Sequence, residues 1–487
     1  MKKVAIILTL CGILGAGQGL LGQQTDIMYF MKDNALQHNL NPAFQPKCNY
    51  YIGFPALSSL NVSAGNNALV FSDVFYGRGD ETVYFLHPDE EAGIDNFLKS
   101  LRKNTRLFSD VGISLITFGF RANKSYYTFD ATTRFASQLI VPKAIPAVFF
   151  KGVEDEDGET VFSLRDLSFS ATAYTQFALG YSYDFDEQWN FGGKLKFLLG
   201  HANMDADFGD LSLTISKERW LLQGNSSLSS SVAGLTMEAD ENGALEKIDS
   251  NGDNFTFSKF LAGGAGAGVD LGATCNLLEN LQLSASIVDL GFIRWSKNLS
   301  KTRKEGDFEF DGIVYDINDT EKDYGKEYAD MLKNMYVVEN NPKAYTTSLT
   351  TKVYAGAEYS ILEDKIGFGL LSKTYITKSK MFEELVLSSN FRPFYPLSVS
   401  FSYSLLNGKW SNLGFGFNVN AGPFNLFLCA DNIPLKYAKG GGKLAPVNTK
   451  MVSTSFGINF VFGNKKKAES GADTDEKAEL SGASILR

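Results

Sequence analysis

The sequence predicts an all-β protein: a transmembrane antiparallel β-barrel of about 14 to 16 strands with an N-terminal plug or hatch segment. Two observations carry this. Strand-length stretches of alternating apolar and polar residues recur along most of the 487-residue chain. In addition, the short connections between them fall on one side and the long ones on the other. A water-soluble sandwich shows the same alternation but has no reason to separate its loops by length.

Residues 1–22 are predicted to be a secretory signal peptide. Two lysines precede the apolar run Val4 to Leu14, and small residues follow. Cleavage after Gly22 is preferred and cleavage after Gly17 is the alternative. An uncleaved anchor is disfavoured because the run is shorter than the ~20 residues of a spanning helix. Lipidation at Cys11 is disfavoured because Leu10 stands where a small residue is needed. The prediction is an exported protein of the cell outer membrane.

Residues 23–49 are predicted to form the plug. This stretch is polar, rich in turn formers and contains Asn41-Pro42-Ala43-Phe44. A barrel of ~14 strands has a lumen too wide for wall side chains alone to fill. We therefore expect this segment to occupy the lumen, with Phe44 against the inner wall.

The hairpin Ala173 to Leu199 shows the barrel pattern most clearly. Its first arm places mostly apolar residues on one face and small or polar residues on the other, and its second arm repeats this. Each arm reaches roughly ten residues, about the length that a tilted strand needs to cross a bilayer.

The remaining strands of the predicted barrel, residues 50–463, follow the same rule. A first strand is expected within Tyr50 to Ala64. Further strands are expected at Val111 to Phe120, Tyr126 to Phe135, Val269 to Cys275, Leu281 to Ile293, Val353 to Tyr359, Ile366 to Leu370, Glu384 to Phe391, Leu397 to Leu405, Leu413 to Val419 and Val452 to Phe462. In the last three, Phe401 and Phe456 are expected to contact lipid, and Ser402 and Ser455 to face the lumen.

Long loops are expected at Phe71 to Leu107, Gln138 to Leu167 and Lys297 to Tyr345. Short helices are expected within two of them, at Ile94 to Leu101 and Tyr328 to Tyr336. Residues 464–487 are rich in Lys, Glu, Ala, Ser and Gly without alternation, which predicts a disordered tail.

Composition argues against a nucleic-acid partner and against a fold held by disulfides. The net charge of −9 argues against nucleic acid as a partner, because phosphate binding needs a basic surface. The chain holds 39 Phe and 21 Tyr, which suit strands and membrane girdles. Of four cysteines, one lies in the predicted leader, so the three that remain cannot all form disulfides with one another.

Three stretches support a family resemblance: Asn41 to Ala43, Gly192 to Gly200, and Asp289 to Trp295. With them the chain resembles a Bacteroidota family of outer-membrane barrels of unknown function, over most of its mature length. It is more distantly similar to FadL/PorV-type transporters of hydrophobic compounds, whose barrels have fourteen strands and a hatch with an Asn-Pro-Ala motif. PorP/SprF-like secretion and gliding barrels share a similar start, so the motif does not separate transport from secretion.

Four charged residues lie in the polar phase of their strands: Asp130, Arg134, Lys194 and Lys196. In a barrel they face the lumen, where they either pair with one another or select an anionic ligand. Asp289 lies in the apolar phase, which predicts a bulge near Gly291 or a place at the membrane rim.

Three other motifs are weak. Gly264, Gly266 and Gly268 precede Asp289 as in a dinucleotide site, but alternation continues into a strand where a helix is required. The acidic stretch from Asp249 lacks the Gly and Glu of a calcium loop, because Asn254 and Phe260 stand in their places.

The last weak motif groups His201 with Asp205 and Asp207 past a strand end, without a nucleophile motif. No enzymatic activity, metal or cofactor is therefore predicted.

The leading functional interpretation is a FadL-like channel for small hydrophobic molecules. The alternative is a structural or secretion-associated barrel that transports nothing. A lateral opening in the wall would favour transport, and a fully packed lumen would favour the alternative. Outer-membrane lipid is the expected environment. The sequence does not identify the ligand, the oligomeric state or a protein partner.

Overall fold

The computed structural model describes residues 26–78, 81–86, 93–152, 159–216, 219–250, 257–261, 263–304, 307–310, 333, 335–376, 381–394, 396–406, 409–433, 437–440, 443–446 and 450–463. The predicted signal peptide, the first three plug residues and the predicted tail lie outside them. So does most of the helix expected at Tyr328 to Tyr336, whose last residue begins a strand.

Fourteen strands form one closed antiparallel barrel, at the lower end of the predicted count. In chain order they are β1 (Tyr50–Gly53 and Leu60–Asn66), β2 (Asn104–Ala122), β3 (Ser125–Pro142), β4 (Ser168–Asp184), β5 (Trp189–Asp207), β6 (Gly264–Leu278), β7 (Leu281–Trp295), β8 (Tyr345–Ser348 and Thr351–Ile361), β9 (Ile366–Ile376), β10 (Met381–Phe394), β11 (Leu397–Leu406), β12 (Lys409–Ala421), β13 (Phe424–Ile433) and β14 (Met451–Phe462).

Strand β1 closes the barrel. Tyr50 pairs with Phe462 of β14 on one side and with Phe120 of β2 on the other. Every other strand pairs with its chain neighbours, so the sheet has no free edge.

The wall has an apolar outside and a polar inside, as the alternation predicts. In β11, Ser398, Ser400, Ser402 and Ser404 are all buried, whereas Phe401 is 49% exposed. In β14, Ser455 is buried and Phe456 is partly exposed. Exposed Phe, Leu, Ile and Tyr side chains of thirteen strands, together with the partly exposed Phe415 and Phe417 of β12, form one outward belt among the described residues.

The tight turns all lie at the barrel end that holds Tyr50 and Phe462, in agreement with the sequence analysis. The prediction that the connections at the other end are long is wrong in two places. Residues 377–380 alone join β9 to β10, and residues 407–408 alone join β11 to β12. Neither pair of strands needs more than a hairpin connection.

The long connections carry structure of their own. Helices occupy Phe71–Val74, Gly93–Ser100, Ala144–Lys151 and Phe257–Phe260, so the helix expected at Ile94 to Leu101 is confirmed. A four-stranded sheet combines segments from three loops: Thr160–Ser163, Ser212–Ile215, Trp220–Gln223 and Phe308–Phe310. Among the described residues, no helix has the length and apolar character needed to cross a membrane.

Candidate functional site in the barrel lumen

The N-terminal segment, residues 26–46, lies inside the barrel. Its five residues Ile27 to Met31 are at most 5% exposed, and they pack with Leu36, Leu40 and Phe44 against inward side chains of the wall. The segment has two short 3-10 helices, Asp26–Phe30 and Gln37–Asn39. It therefore forms the apolar core of a lumen whose walls are mostly polar.

The Asn-Pro-Ala turn is fastened to the wall. The Asn41 carbonyl oxygen Oδ1 accepts from the backbone N–H of Ala43 at 2.9 Å, and its amide donates to the carbonyl of Ala285 in β7 at 3.2 Å. Asn190 of β5 donates to the carbonyl of Ala43 at 2.6 Å. Phe44 packs edge-on against Tyr29, with ring centroids 5.1 Å apart.

Glycines of the wall make room for this turn. A Cβ atom at Gly272 would lie 2.9 Å from Pro42 Cδ and would collide with Asn41, and one at Gly192 would collide with the Pro42 carbonyl. In the sequence, both glycines stand among the small and polar residues of alternating strands. Their spacing carries no signal that they face the Asn-Pro-Ala turn.

Asp130 and Lys194 pair beside the segment. Their charged atoms are 2.8 Å apart, both side chains are buried, and Lys194 also donates to the Asn39 side chain. His38 binds the Tyr51 hydroxyl at 2.7 Å. Burial and the nearby Lys194 lower the pKa of His38 to about 3, although Asp130 opposes the shift, so this imidazole is neutral.

Arg134 and Lys196 converge on a different acid, Asp289. Arg134 lies 3.2 Å from Asp289, Lys352 of β8 lies 3.0 Å from it, and Lys196 bridges Asp289 and Asp270. These charges come from β3, β5, β6, β7 and β8. The four charged residues predicted to face the lumen thus belong to two separate groups of ion pairs.

A β-bulge brings Asp289 into the lumen. The register between β6 and β7 shifts so that Val288 and Asp289 stand opposite Asp270 alone, and Asp289 has φ +61°. The bulge reverses the phase of β7: Ile287 is exposed, whereas Ile293 and Trp295 are fully buried. The predicted bulge is confirmed, and it lies at Asp289 itself.

The first described residues of the segment reach the opposite wall. Lys373 of β9 pairs with Asp26, and the backbone N–H of Asp26 donates to Asp431 of β13 at 2.6 Å. Here too a wall residue adopts positive φ, Asn432 at +61°.

A second anchor lies at the turn between β8 and β9. Lys32 is 2.8 Å from Glu358 and 2.9 Å from Asp364, and Arg392 donates to the Phe30 carbonyl at 3.0 Å. Burial would raise the pKa of Asp364, but Arg392 and Lys32 outweigh it and hold the pKa below its ordinary value.

The barrel wall has a seam between β1 and β2. Strand β1 leaves the sheet after Gly53 and rejoins it at Leu60, and Phe54 and Leu57 project outward in between. From Leu60 to Gly65, β1 has ladder partners in β14 but none in β2, although the two strands stay close. The alternation predicts a single strand here, but Pro55 cannot donate to a ladder and lies in the interruption.

The structure shows where most residues of the three weak motifs lie. Among the described residues, no group of three or more His, Cys, Asp or Glu side chains is arranged to hold a metal ion. His201 pairs with the Thr175 hydroxyl at 2.7 Å and stacks on Phe260. The glycines from Gly264 onward lie in strand β6, as predicted. Of the weak calcium motif, Asp249 is the next-to-last residue of the loop strand Leu245–Ser250, and Asn251 and Asp253 lie outside the described residues.

The fold and the lumen together define a closed fourteen-stranded antiparallel barrel that encloses its own N-terminal segment. The protein belongs to a family of unknown function, DUF5723, whose model matches residues 42–431. The match begins at Pro42 of the Asn-Pro-Ala turn and covers strands β1 to β12 and most of β13. The family resemblance inferred from the sequence is confirmed to that extent.

Comparison with curated proteins finds no match. Among solved structures, the chain is similar to the Pseudomonas putida toluene transporter TodX (10% identity, 88% of this chain and 94% of that one, TM-score 0.40). It is also similar to the Ralstonia pickettii toluene transporter TbuX (6%, 92% and 96%, 0.39) and to a Pseudomonas aeruginosa FadL homologue (8%, 91% and 99%, 0.37). TM-scores of this size are too low to establish a shared fold, so the description of the barrel rests on its own strand pairing.

Proposed function

We propose that the protein is an outer-membrane channel for small hydrophobic molecules, which leave the lumen sideways through the β1–β2 seam. It has no catalytic role in this proposal. Membrane insertion is supported by the closed barrel and its outward apolar belt, since every backbone group must be paired in lipid.

The observation that carries the proposal is the seam itself. Six consecutive residues of β1, Leu60 to Gly65, lack ladder partners in β2, although the two strands pair on either side of this stretch, Ile52 with Phe118 and Asn66 with Leu107. Unpaired backbone groups are unfavourable next to lipid, so a wall that only had to be stable would pair them. An interrupted pairing supplies a place where two strands separate without breaking a ladder.

The N-terminal segment supports the same route. It obstructs the direct path to the periplasm, because it packs inside the lumen and contacts β7 on one side and β9 and β13 on the other. A hydrophobic molecule that enters from outside is then left with an exit toward the bilayer.

A disulfide across the seam tests the proposal. A Cβ atom at Gly112 would lie 3.7 Å from Asn61 Cβ, within the range of a disulfide. We expect the Asn61→Cys/Gly112→Cys variant, in a background without Cys48, Cys275 and Cys429, to lose uptake of N-phenyl-naphthylamine when oxidised. Reduction should restore uptake.

The matched control is Ser109→Cys/Ser137→Cys, which links β2 to its other neighbour, β3, where the two hydroxyls are already 2.8 Å apart. This cross-link should not change uptake. Equal uptake by the oxidised and reduced seam variants would contradict lateral exit.

The alternative, a structural or secretion-associated barrel that transports nothing, is favoured by the dense packing of the lumen. It would gain support if cells with and without the protein took up the probe at the same rate.

A further inference from the structure

Five charges line one half of the lumen, four of them buried and Arg134 partly exposed. This ionic layer consists of Arg134, Lys196, Asp270, Asp289 and Lys352. Lys196 and Asp289 are at most 6% exposed, and Lys196 lies 2.6 Å from Asp270. The backbone N–H of Asp289 also donates to Asp270 at 2.7 Å. The layer is a connected set of ion pairs between five of the six consecutive strands β3 to β8.

The layer does not depend on the N-terminal segment. The ion pairs of Asp289 run to β3, β5 and β8, all of them wall strands. The opposite half of the lumen differs, because there Lys373 pairs with Asp26 of the segment. Removing the segment therefore takes a partner from one half of the lumen and leaves the ion pairs of the other half complete.

We propose that the ionic layer is a second barrier to straight passage, in series with the N-terminal segment and confined to the half of the lumen lined by β3 to β8. A molecule crossing it would have to separate buried opposite charges, which is unfavourable for the charges left unpaired. The consequence for a hydrophobic ligand, that only the seam remains open to it, rests on the proposed function; the barrier itself does not.

Conductance in planar bilayers tests the barrier without any hydrophobic ligand. Deletion of residues 26–44 should raise single-channel conductance by opening the half that Asp26 helps to close. Truncating the layer in the deleted protein, with Asp289→Gly and Ala at the other four positions, should raise conductance by about a further twofold, because the second half of the lumen then opens. Glycine suits position 289 because of its positive φ. The same truncation in the full-length protein should leave it closed.

A milder variant, Asp289→Gly/Lys352→Met, covers the case in which the fivefold variant does not assemble. The control is Asp130→Ala/Lys194→Ala, which removes an ion pair outside the layer and should add no more than a small increase in the deleted background. Equal conductance of the deleted protein with and without the layer would overturn the proposal. If instead the layer behaves as expected while the seam cross-link has no effect on uptake, the barrier stands and lateral transport does not.

Discussion

Phe401 is a position at which the cost of a charged substitution should depend on depth in the membrane. Its side chain points away from the barrel and is 49% exposed in the middle of β11. We expect Phe401→Arg to lower the free energy of unfolding by roughly 2–4 kcal/mol, because an arginine at the bilayer midplane is poorly solvated. Equilibrium unfolding in lipid vesicles measures it.

The control for depth is Phe424, the first residue of β13, which is 48% exposed at the turn end of the barrel. Phe424→Arg should cost about 0–1 kcal/mol, because arginine near the interface reaches water. Equal losses at the two positions would contradict the position of the belt. Ser402 does not serve as a lumenal control, because it is buried against its neighbours.

The folded protein disfavours the protonated form of His38. Its pKa in the folded protein is about 3, against an ordinary value of 6.5, so the unfolded chain binds a proton at a pH where the folded protein does not. The stability that the neutral imidazole contributes is present above pH 6.5 and is lost as the pH falls toward 3.

We therefore expect the free energy of unfolding to fall between about pH 6.5 and 4, and His38→Gln to remove part of this fall. Parallel unfolding curves of the two proteins at several pH values check the prediction. An identical pH dependence in both would show that His38 is not responsible.

At the scale of elements, the docking of the Asn-Pro-Ala turn depends on glycines of β5 and β6. Gly272→Val should displace the turn, since a Cβ atom there would lie 2.9 Å from Pro42 Cδ. Overpacking of this kind costs about 1–3 kcal/mol. The variant should show raised conductance in planar bilayers, as the deletion of residues 26–44 does.

Gly193→Ala is the matched control. A Cβ atom there would meet its nearest neighbours at 3.5 Å and 3.7 Å, which is ordinary contact. Its conductance should equal that of the unmodified protein. If Gly272→Val also stays closed while the barrel assembles, the turn does not hold the segment in its blocking position.

At the scale of the whole molecule, closure predicts resistance to detergent. Every barrel strand is paired on both sides, and β1 joins β2 to β14. The mature protein should therefore fractionate with outer membranes and migrate differently in SDS gels before and after boiling. Recovery in the soluble periplasm, or identical migration, would contradict the membrane barrel.

The sequence by itself determined the barrel class and the facing of most strands, because alternation with a period of two is a local property. It also placed the tight turns at one end. An acidic residue, Asp289, at an apolar position of the alternation indicated the bulge. Only the tertiary structure shows what pairs with Asp289. Its partners come from three other strands, and they are Arg134, Lys196 and Lys352.

Only the tertiary structure decided three further features. The two groups of lumenal charges look alike in the sequence, because Lys194 and Lys196 share one face of β5 and differ only in the acids of nearby strands with which they pair. The glycines that receive the Asn-Pro-Ala turn are far from it in the chain. The seam depends on which residues of β1 pair with β14 and which pair with β2, where the two ends of the sheet meet. Contacts across a closed barrel join residues hundreds of positions apart, and a local pattern carries no information about such distances.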